Sequence, residues 1–540
     1  MNWWKSTVVY QIYPKSFFDS NGDGIGDLKG IEQKIPYLSK LGVGVIWISP
    51  FFQSPMVDNG YDVSDYTKIN PIYGTMKDFD SLVKTCQKHN IKIIVDFVAN
   101  HTSTEHKWFK KAMKNDPKYK KYYYISDKPV WEKKSVFGGE AWEKINDSEY
   151  YLHSFAIEQA DVNWTNPEVR DEFKNIMNFW IDKGIGGVRF DVIDDIGKTL
   201  DPKKLKQGIN VDSKRLHQYV QEWRNESKWD QHDLLTVGEC WDASVEKAIM
   251  YSNPKRKEMA MVFGFEHIQT NWTDSKWINK KFDLVKFKEV IAKWQTKIYK
   301  KGWLGLFLSN HDLPRMISNF GDEKYRVESG KTLALTLHML QGTPFIYQGE
   351  EIGMTNCQFD SLDEHDDIEI HQMYKTLKEK NKNYTKEEHL KYVAKMNRDN
   401  ARTPMQWNST KNAGFSESKP WLKINNNYQE INVENALADS NSLFYWYQTL
   451  NKLRTNESKN NINKILIEGK FQLIDPNHKD VFAYERVYRN QKLVVIANWT
   501  SKEIKYNFDD SKVILNSYNE LLKNKLKPWQ SILILEKNKL

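Results

Sequence analysis

Eight short apolar runs recur along the chain, and segments with helical periodicity stand between them. The runs cover residues 8–14, 43–50, 91–98, 187–193, 234–241, 258–265, 303–312 and 343–351. Each run is nearly continuously apolar instead of alternating, as strands buried on both faces of a sheet require. Strand and helix in eightfold alternation therefore predict an α/β fold built around a closed (β/α)8 barrel, the TIM barrel.

Two of the segments between the runs carry signs of helix ends. Thr75 and Asp78 have the spacing of a capping box at the start of one helix. Asn166 can cap a second helix, Pro167 suits its first position, and Gly184 can end it. Both predicted helices fall between consecutive apolar runs, where the helices of a barrel belong.

Two stretches depart from this alternation. Residues 102–164, after the third strand, are rich in Lys, Tyr and Trp with little helical period, so we predict a small inserted domain there. After about residue 460, short apolar runs such as KILIEG, LVVIANW, KVILN and SILILE predict a C-terminal antiparallel β-domain. The predicted division is a first barrel segment at 1–101, the inserted subdomain at 102–164, a second barrel segment at 165–460 and the β-domain at 461–540.

The composition restricts the class of protein. Of 540 residues, 13% are aromatic, which excludes a disordered chain because aromatic side chains supply a large core. No apolar stretch approaches the ~18 to 20 residues that span a bilayer, and the N-terminus has no secretory signal. The cysteines, Cys86, Cys240 and Cys357, are odd in number and form no CxxC motif, which indicates a reducing compartment. We therefore expect a cytoplasmic protein without a membrane partner.

The charge pattern gives no sign of a nucleic-acid partner. The formal net charge of +8 comes from 79 Lys and Arg against 71 Asp and Glu, which are spread along the chain. Without a concentrated basic stripe or a nucleic-acid motif, a biased, solvated surface explains this excess better than a nucleic-acid footprint. We expect a monomer that binds no nucleic acid.

Polar residues close four of the apolar runs. In a (β/α)8 barrel the active site forms at the carboxyl ends of the strands, so these residues are the first candidates for chemistry. Any one of them could instead cap a helix or lie buried with backbone partners, but their coincidence at one end of the barrel makes that explanation poor for the set. They are Asp96, Asn100 and His101 after the third run, Arg189 and Asp191 in the fourth, Glu239 in the fifth, and His311 and Asp312 in the seventh.

Three of these residues suggest a carboxylate site. Asp191, Glu239 and Asp312 come from separate strands, and glycoside hydrolysis needs paired carboxyl groups, one ionised and one protonated near neutral pH. Arg189 lies two residues before Asp191 and therefore points to the same side of the strand, where its charge would keep Asp191 ionised and nucleophilic. Glu239 would be the acid, with its pKa raised by burial and nearby negative charge.

The sequences around these residues resemble a known family. VDFVANH, GVRFDVI, VGECW and LSNHD resemble the four ordered signature regions of the α-amylase family of glycoside hydrolases, and QADVNW resembles its fifth motif. With GYD at 60–62, RDNARTPMQW at 398–407 and TPFIYQGEEIG, the resemblance covers nearly the whole chain. Within the family the chain is most similar to the oligo-1,6-glucosidase group, and there to the dextran glucosidases.

The resemblance implies a role for each residue. Asp191 matches the family's nucleophile, Glu239 its acid/base, and Asp312 the third carboxylate, which grips sugar hydroxyls as the ring flattens toward the transition state. Asp62 and Arg398 match the pair that holds the non-reducing terminal glucose in exo-acting members. The other residues implied in substrate binding are Tyr61, His101, Arg189 and His311.

The implied reaction is hydrolysis with retention, by attack of Asp191 and proton donation from Glu239, with the two carboxyl groups about 5 to 5.5 Å apart. A pocket closed by Asp62 and Arg398 accepts only a chain end, so we expect an exo-acting α-glucosidase that releases glucose from α-1,6-linked isomaltooligosaccharides and dextran fragments. Trehalose-6-phosphate hydrolase is the nearest alternative, since FGGEAWE and STEHKWF also resemble that group; a broad α-glucosidase or sucrase is another. A non-catalytic binding relative is disfavoured because all three carboxylates are present.

Two residues beside the catalytic ones bear on specificity. Val192 follows the nucleophile and is the residue type of α-1,6-active members, where α-1,4-specific relatives usually carry Thr. An ordinary β-branched strand residue is the alternative. Trp241 could stack on the sugar beyond the cleaved bond, as the corresponding Trp does in dextran glucosidases, or it could pack in the core.

A second chemical site is predicted in the segment DSNGDGIGD. Oxygen ligands spaced as in an EF-hand loop suit Ca²⁺. The twelfth position is Gly30 rather than Glu, so the pattern is incomplete and a turn without metal is the alternative. The group that the chain resembles commonly has a calcium loop here, which favours structural Ca²⁺, and no organic cofactor is expected. The predicted ligands are Asp19, Asn21, Asp23, the Ile25 carbonyl and Asp27, at positions 1, 3, 5, 7 and 9.

Overall fold

All eight apolar runs form strands, and these close into one parallel barrel in the computed structural model. The strands are β1 Val9–Ile12, β2 Val45–Ile48, β3 Lys92–Val98, β4 Gly187–Asp191, β5 Leu235–Cys240, β6 Met261–Gly264, β7 Leu304–Leu306 and β8 Thr343–Tyr347. Each strand pairs with its neighbours in chain order, and β1 closes the barrel against β8. The (β/α)8 prediction is confirmed. The structure describes residues 2–130, 134–198, 213–273, 276–278, 280–455 and 461–537.

A long helix follows each strand. These helices are α1 Leu28–Leu41, α2 Met76–Lys88, α3 Pro167–Asp182, α4 Ser213–Glu226, α5 Val245–Ser252, α6 Leu284–Ile298, α7 Arg326–His338 and α8 Leu443–Arg454. The predicted capping box is present at α2, where the Thr75 hydroxyl accepts from the Asp78 amide and the Asp78 carboxylate accepts from the Thr75 amide. At α3, Asn166 caps the first turn, Pro167 is the first residue, and Gly184 follows the end with φ of 89°. Both cap predictions are confirmed.

The connections add smaller elements. The predicted insertion between β3 and α3 has its own small core, formed by Tyr124, Ala141, Trp142 and Leu152. Its sheet is antiparallel and three-stranded, from Ile125–Ser126, Trp142–Asn146 and Glu149–Leu152. Paired short strands are His101–Ser103 with Gln159–Asp161, Phe52–Gln53 with Asp65–Ile69, and Ile504–Lys505 with Lys525–Leu526. Further helices are Lys107–Met113, Pro117–Lys120, Met316–Phe320, Ile368–Lys380, Lys386–Val393, Asp399–Arg402 and Val433–Ala438.

The C-terminal part forms the predicted antiparallel sheet. Its strands are β9 Lys470–Ile474, β10 Val481–Tyr488, β11 Gln491–Asn498, β12 Val513–Asn516 and β13 Ser531–Lys537, in the order β9-β10-β11-β13-β12. One strand prediction is wrong, because KILIEG lies in the helix Ile462–Glu468. Ile462, Ile465 and Leu466 are buried at helical spacing, so a short apolar run that suits either structure folds as a helix. The domain boundaries at 101, 164 and 460 stay predictions.

Two further features concern membrane-spanning helices and the cysteines. Within the described ranges, no helix is both long and apolar enough to cross a bilayer. Cys86, Cys240 and Cys357 are free thiols, and all three are buried. The cytoplasmic location itself stays a prediction.

Candidate active site

A pocket opens at the carboxyl ends of the barrel strands, where the sequence places the candidate residues. The pocket and its mouth together hold about 600 Å³ of empty space. Eight of the predicted residues line it, namely Tyr61, His101, Asp191, Val192, Glu239, Trp241, Asp312 and Arg398. The lining also includes residues that the sequence did not single out, namely Asp58, Val136, Phe137, Phe155, Gln159, Lys276 and Glu369.

Arg189 joins three carboxylates beneath the pocket. It lies on β4 and is only 1% exposed. Its Nη1 atom donates to Asp96 and to Asp191, at 2.7 Å each, and its Nη2 atom donates to Glu239 at 2.5 Å. A guanidinium is a planar fork of donors that holds carboxylates in fixed positions. One buried cation therefore fixes the positions of both proposed reacting carboxyl groups, and the predicted contact between Arg189 and Asp191 is confirmed.

Burial dominates the protonation of the two reacting groups. It raises the pKa of Asp191 well above its ordinary value, although Arg189 acts in the opposite direction. The expected lowering of the Asp191 pKa by Arg189 is therefore outweighed by loss of solvent. Burial also raises the pKa of Glu239, and the negative charge of Asp312 adds to the rise. In such a coupled pair beside one guanidinium, one carboxyl group can be protonated while the other is ionised. An acid and a nucleophile in one site require this combination.

Asp312 has the opposite electrostatic character. Its carboxylate lies 2.9 Å from Arg402 Nη2, 3.4 Å from Arg398 Nη1 and 3.2 Å from His311 Nε2. Burial alone would raise its pKa, but His311 and the two arginines bring the pKa well below the ordinary value. Asp312 therefore stays ionised at neutral pH and can accept hydrogen bonds from sugar hydroxyls.

Both predicted histidines are buried and neutral at pH 7. Burial lowers the pKa of His101 to about 4 and that of His311 to about 3. His101 lines the pocket, and its Nε2 atom lies 3.1 Å from the Tyr61 carbonyl. His311 is fully buried, with its Nε2 atom 2.6 Å from the Tyr61 hydroxyl. Neutral imidazoles at these positions are suited to hydrogen bonding rather than to charge compensation.

The predicted pairing of Asp62 with Arg398 is wrong. The Asp62 carboxylate accepts the backbone N–H groups of Val57 and Asp58, at 2.9 and 3.0 Å. Asp58 is the residue that lines the pocket, 3.4 Å from Arg398 Nη2. The cause is the tight turn between the two aspartates, in which Gly60 has φ of 104° and directs Asp58 and Asp62 to different partners. The sequence offers two aspartates four residues apart, and only the turn distinguishes them.

Acidic residues from the connection after β8 hold Arg398 in place. Asp367 accepts from its Nε and Nη2 atoms at 3.0 and 2.5 Å, and Glu369 lies 3.7 Å from its Nε atom. Glu369 also accepts from Lys276 at 2.6 Å. Sequence reasoning missed these acids because they belong to a connection and not to the end of an apolar run.

Val192 adopts a strained conformation directly after the nucleophile. Its φ of 34° and ψ of 50° lie in the left-handed region, which β-branched residues rarely adopt. This turn directs the Val192 N–H toward Glu239 Oε2, at 3.1 Å. Val192 is therefore not an ordinary strand residue, because β4 ends at Asp191. The strained backbone at Val192 thus helps to position the Glu239 carboxyl group.

Trp241 packs against the core, which is one of its two predicted roles, and its stacking on a sugar stays a prediction. It lines the pocket, and its indole ring stacks on Phe265 with ring centroids 4.0 Å apart. Its Nε1 atom donates to Glu239 Oε1 at 3.1 Å. The ring is thus packed by the barrel and also bonded to the proposed acid.

The loop of the predicted calcium ligands is tied together by its own hydrogen bonds. Asp19 accepts from the amides of Asn21, Gly22 and Gly24. Asp27 caps α1 by accepting from the Gly30 amide at 2.7 Å. In the part of the chain that the structure describes, no three His, Cys, Asp or Glu residues are grouped as a metal site. The full predicted ligand set also includes Asn21 and the Ile25 carbonyl, and Ca²⁺ binding by this set stays a prediction.

Known proteins resemble this chain over its whole length. The catalytic-domain model of the alpha-amylase family matches residues 11–463. The chain is 48% identical to a glucan 1,6-alpha-glucosidase of Streptococcus pneumoniae serotype 4, across 93% of this chain and 92% of the relative. It is 44% identical to an oligo-1,6-glucosidase of Heyndrickxia coagulans, across 96% of each. The crystal structure of Bacillus licheniformis trehalose-6-phosphate hydrolase superposes with a TM-score of 0.91 at 42% identity, covering 99% of this chain and 100% of that chain.

Proposed function

The chain belongs to the α-amylase family and is a glycoside hydrolase, and we propose that it is an exo-acting, retaining α-glucosidase of α-1,6-linked isomaltooligosaccharides and dextran fragments. The observation that carries the proposal is the composition of one pocket. It combines three carboxylates with the buried pair of Asp58 and Arg398. We infer in addition that the enzyme acts as a cytoplasmic monomer, which stays a prediction.

In the proposed reaction, Asp191 attacks the anomeric carbon while Glu239 protonates the leaving oxygen. Glu239 then acts as a base and activates water against the covalent glucosyl intermediate. Asp191 Oδ1 accepts from Arg189, and its other oxygen takes no hydrogen bond from the described residues, which leaves it available for attack. Bridging of both carboxyl groups by Arg189 favours the shorter separation of about 5 to 5.5 Å that retaining enzymes use.

We assign Asp58 and Arg398 to the non-reducing terminal glucose. A carboxylate and a guanidinium side by side can accept from one sugar hydroxyl and donate to the next. Arg398 is 6% exposed, lies over the Phe137 ring at 4.9 Å and donates to Asp367. The inserted subdomain and the charged pair of Asp58 and Arg398 line the same pocket. This arrangement favours binding of a chain end over the middle of a chain.

Trehalose-6-phosphate hydrolase is the second candidate. The fold and 42% identity of the Bacillus licheniformis enzyme support it, and Lys276 places a cation in the pocket that a sugar phosphate could use. Lys276 is already paired with Glu369 at 2.6 Å, however, and a carboxylate beside it opposes binding of a phosphate. The α-1,6-glucosidase assignment therefore remains the better supported one.

A substrate panel tests the choice. Equal amounts of isomaltotriose, maltose, sucrose and trehalose 6-phosphate are incubated with the enzyme, and initial rates of product release are compared. We expect isomaltotriose to be cleaved fastest, with glucose and isomaltose as the first products. Rapid formation of glucose 6-phosphate with isomaltotriose left intact would show that the second candidate is the correct one.

A further inference from the structure

A buried glutamine on β1 contacts the histidine beside the third carboxylate. Gln11 is 1% exposed, in a strand whose other residues, Val9, Tyr10 and Ile12, are fully buried and largely apolar. Its Nε2 atom lies 2.8 Å from His311 Nδ1 and 3.3 Å from the Ser49 hydroxyl. A buried amide costs free energy unless it is hydrogen-bonded, so these contacts decide how the side chain is oriented.

The other nitrogen of His311 faces two oxygen atoms. His311 Nε2 lies 2.6 Å from the Tyr61 hydroxyl and 3.2 Å from Asp312 Oδ2. An ionised carboxylate is an acceptor only, and the arginines beside Asp312 keep it ionised. A proton on Nε2 is therefore favoured by the negative charge of Asp312 nearby, whereas a lone pair there would be repelled by it. The neutral imidazole must carry its proton on Nε2 and leave Nδ1 to accept.

The Tyr61 hydroxyl, which contacts His311, also has an acceptor of its own. Its hydroxyl lies 2.9 Å from Asp96 Oδ2, an acceptor that also receives the indole N–H of Trp47 at 3.2 Å. Tyr61 has a single hydroxyl proton, and Asp96 takes it, so the contact of Tyr61 with His311 requires a proton from the imidazole. Asp96 in turn accepts from Arg189, which holds Asp191.

We propose that Gln11 is a positioning residue that fixes His311 as its Nε2–H tautomer and thereby orders a hydrogen-bond chain from β1 to the nucleophile. In this chain Gln11 donates to His311, His311 donates to Tyr61, and Tyr61 donates to Asp96. The functional part of the inference rests on the proposed roles of Asp191 and Asp312. Gln11 itself acts only through His311.

The opposite tautomer shows why the orientation matters. With its proton on Nδ1, His311 would present a lone pair to Tyr61 and to Asp312. Tyr61 would then donate to His311 and withdraw its proton from Asp96. Among the described residues, Asp96 would keep Arg189 and Trp47 as its donors. The carboxylates that Arg189 bridges would then lose part of their support.

Nitrogen NMR of the wild-type enzyme tests the tautomer directly. The protein is labelled with ¹⁵N-histidine, and the His311 signals are identified by their loss in His311→Asn. We expect Nε2 to be protonated and Nδ1 unprotonated at neutral pH. A neutral imidazole protonated on Nδ1, or an imidazolium, would overturn the proposal. This readout needs no turnover, so it is independent of whether the proposed function holds.

Two substitutions at position 11 then test the consequence. The carboxylate of Gln11→Glu can only accept, so it should draw a proton onto His311 Nδ1 and lower kcat about 10²-fold, the size of effect seen when an oriented donor is lost. Gln11→Met has similar length without a donor or an acceptor, so Asp312 and Asp96 should keep the Nε2–H form and kcat should fall less than about tenfold. An unchanged tautomer in Gln11→Glu, or equal loss of kcat in both variants, would contradict the proposal. If Gln11→Glu does not fold, the wild-type spectrum still decides the tautomer.

Discussion

Arg398 Nη2 lies 3.4 Å from Asp58 Oδ1, and this pair joins the turn after β2 to the connection after β8 inside the pocket. Asp62 instead accepts two backbone amides of the turn. The two aspartates therefore have separable positions: Asp58 faces the pocket, and Asp62 holds the turn that presents Asp58.

The first prediction concerns this division of roles. Asp58→Asn should lower kcat/KM for isomaltotriose about 10²-fold or more, because it removes the charge that pairs with Arg398 and replaces one acceptor oxygen by a donor. The matched variant Asp62→Asn should lower the melting temperature while the folded enzyme keeps kcat/KM within about tenfold of wild type. Steady-state kinetics and thermal unfolding of both variants check this. Loss of activity confined to Asp62→Asn would reverse the assignment.

The second prediction concerns pH. Burial raises the pKa of Asp62 to about 6. In the native state this carboxyl group therefore stays protonated to a higher pH than in the unfolded state. Its contribution to the free energy of unfolding is complete below about pH 4 and is lost as the pH rises through about 6. The free energy of unfolding of wild type relative to Asp62→Asn should therefore fall by roughly 2 to 3 kcal/mol over this window. Urea titrations of both proteins at pH 4 and pH 7 measure the difference, and a constant difference would refute it.

The third prediction concerns Arg189. Arg189→Met leaves three buried carboxyl groups without their cation, so it should destabilise the fold by about 3 to 5 kcal/mol. Arg189→Lys keeps a charge but not the planar fork, so it should be more stable than Arg189→Met and still lose about 10²-fold or more in kcat. Denaturant unfolding and kinetics of the pair check both effects. A fully active lysine variant would show that the bridging geometry is not needed.

The fourth prediction concerns the loop at residues 19–27. The sequence pattern predicts that a chelator lowers the melting temperature and that Ca²⁺ restores it. Asp23→Ala should abolish the response, because it removes the ligand at position five, while it leaves the Asp19 and Asp27 hydrogen bonds in place. Melting curves with chelator and with added Ca²⁺ measure this. An identical melting temperature in both conditions would agree with the hydrogen-bonded loop of the structure and refute the calcium site.

Much of the fold and the reacting groups could be predicted because their signals are local. A strand buried on both faces must be apolar throughout, which identifies all eight barrel strands. Asp191, Glu239 and Asp312 follow from their places at the ends of such runs. KILIEG could not be assigned correctly, because six residues of mixed apolar character suit a strand or a helix until packing decides.

The remaining site residues could not be predicted because long-range geometry selects them. Asp58 and Asp62 have the same chemistry, and only the turn at Gly60 decides which one reaches Arg398. Glu369 enters the pocket from the connection after β8, where no periodic pattern indicates function. Residue type alone can suggest such groups, but it cannot orient them.

We propose that this pocket removes glucose from a chain end with retention at the anomeric carbon. Proton NMR of isomaltotriose hydrolysis, followed from the first minutes before mutarotation, tests it most directly. We expect α-glucose and isomaltose as the initial products, and none from Asp191→Asn. Initial release of β-glucose, or turnover undiminished in Asp191→Asn, would contradict it.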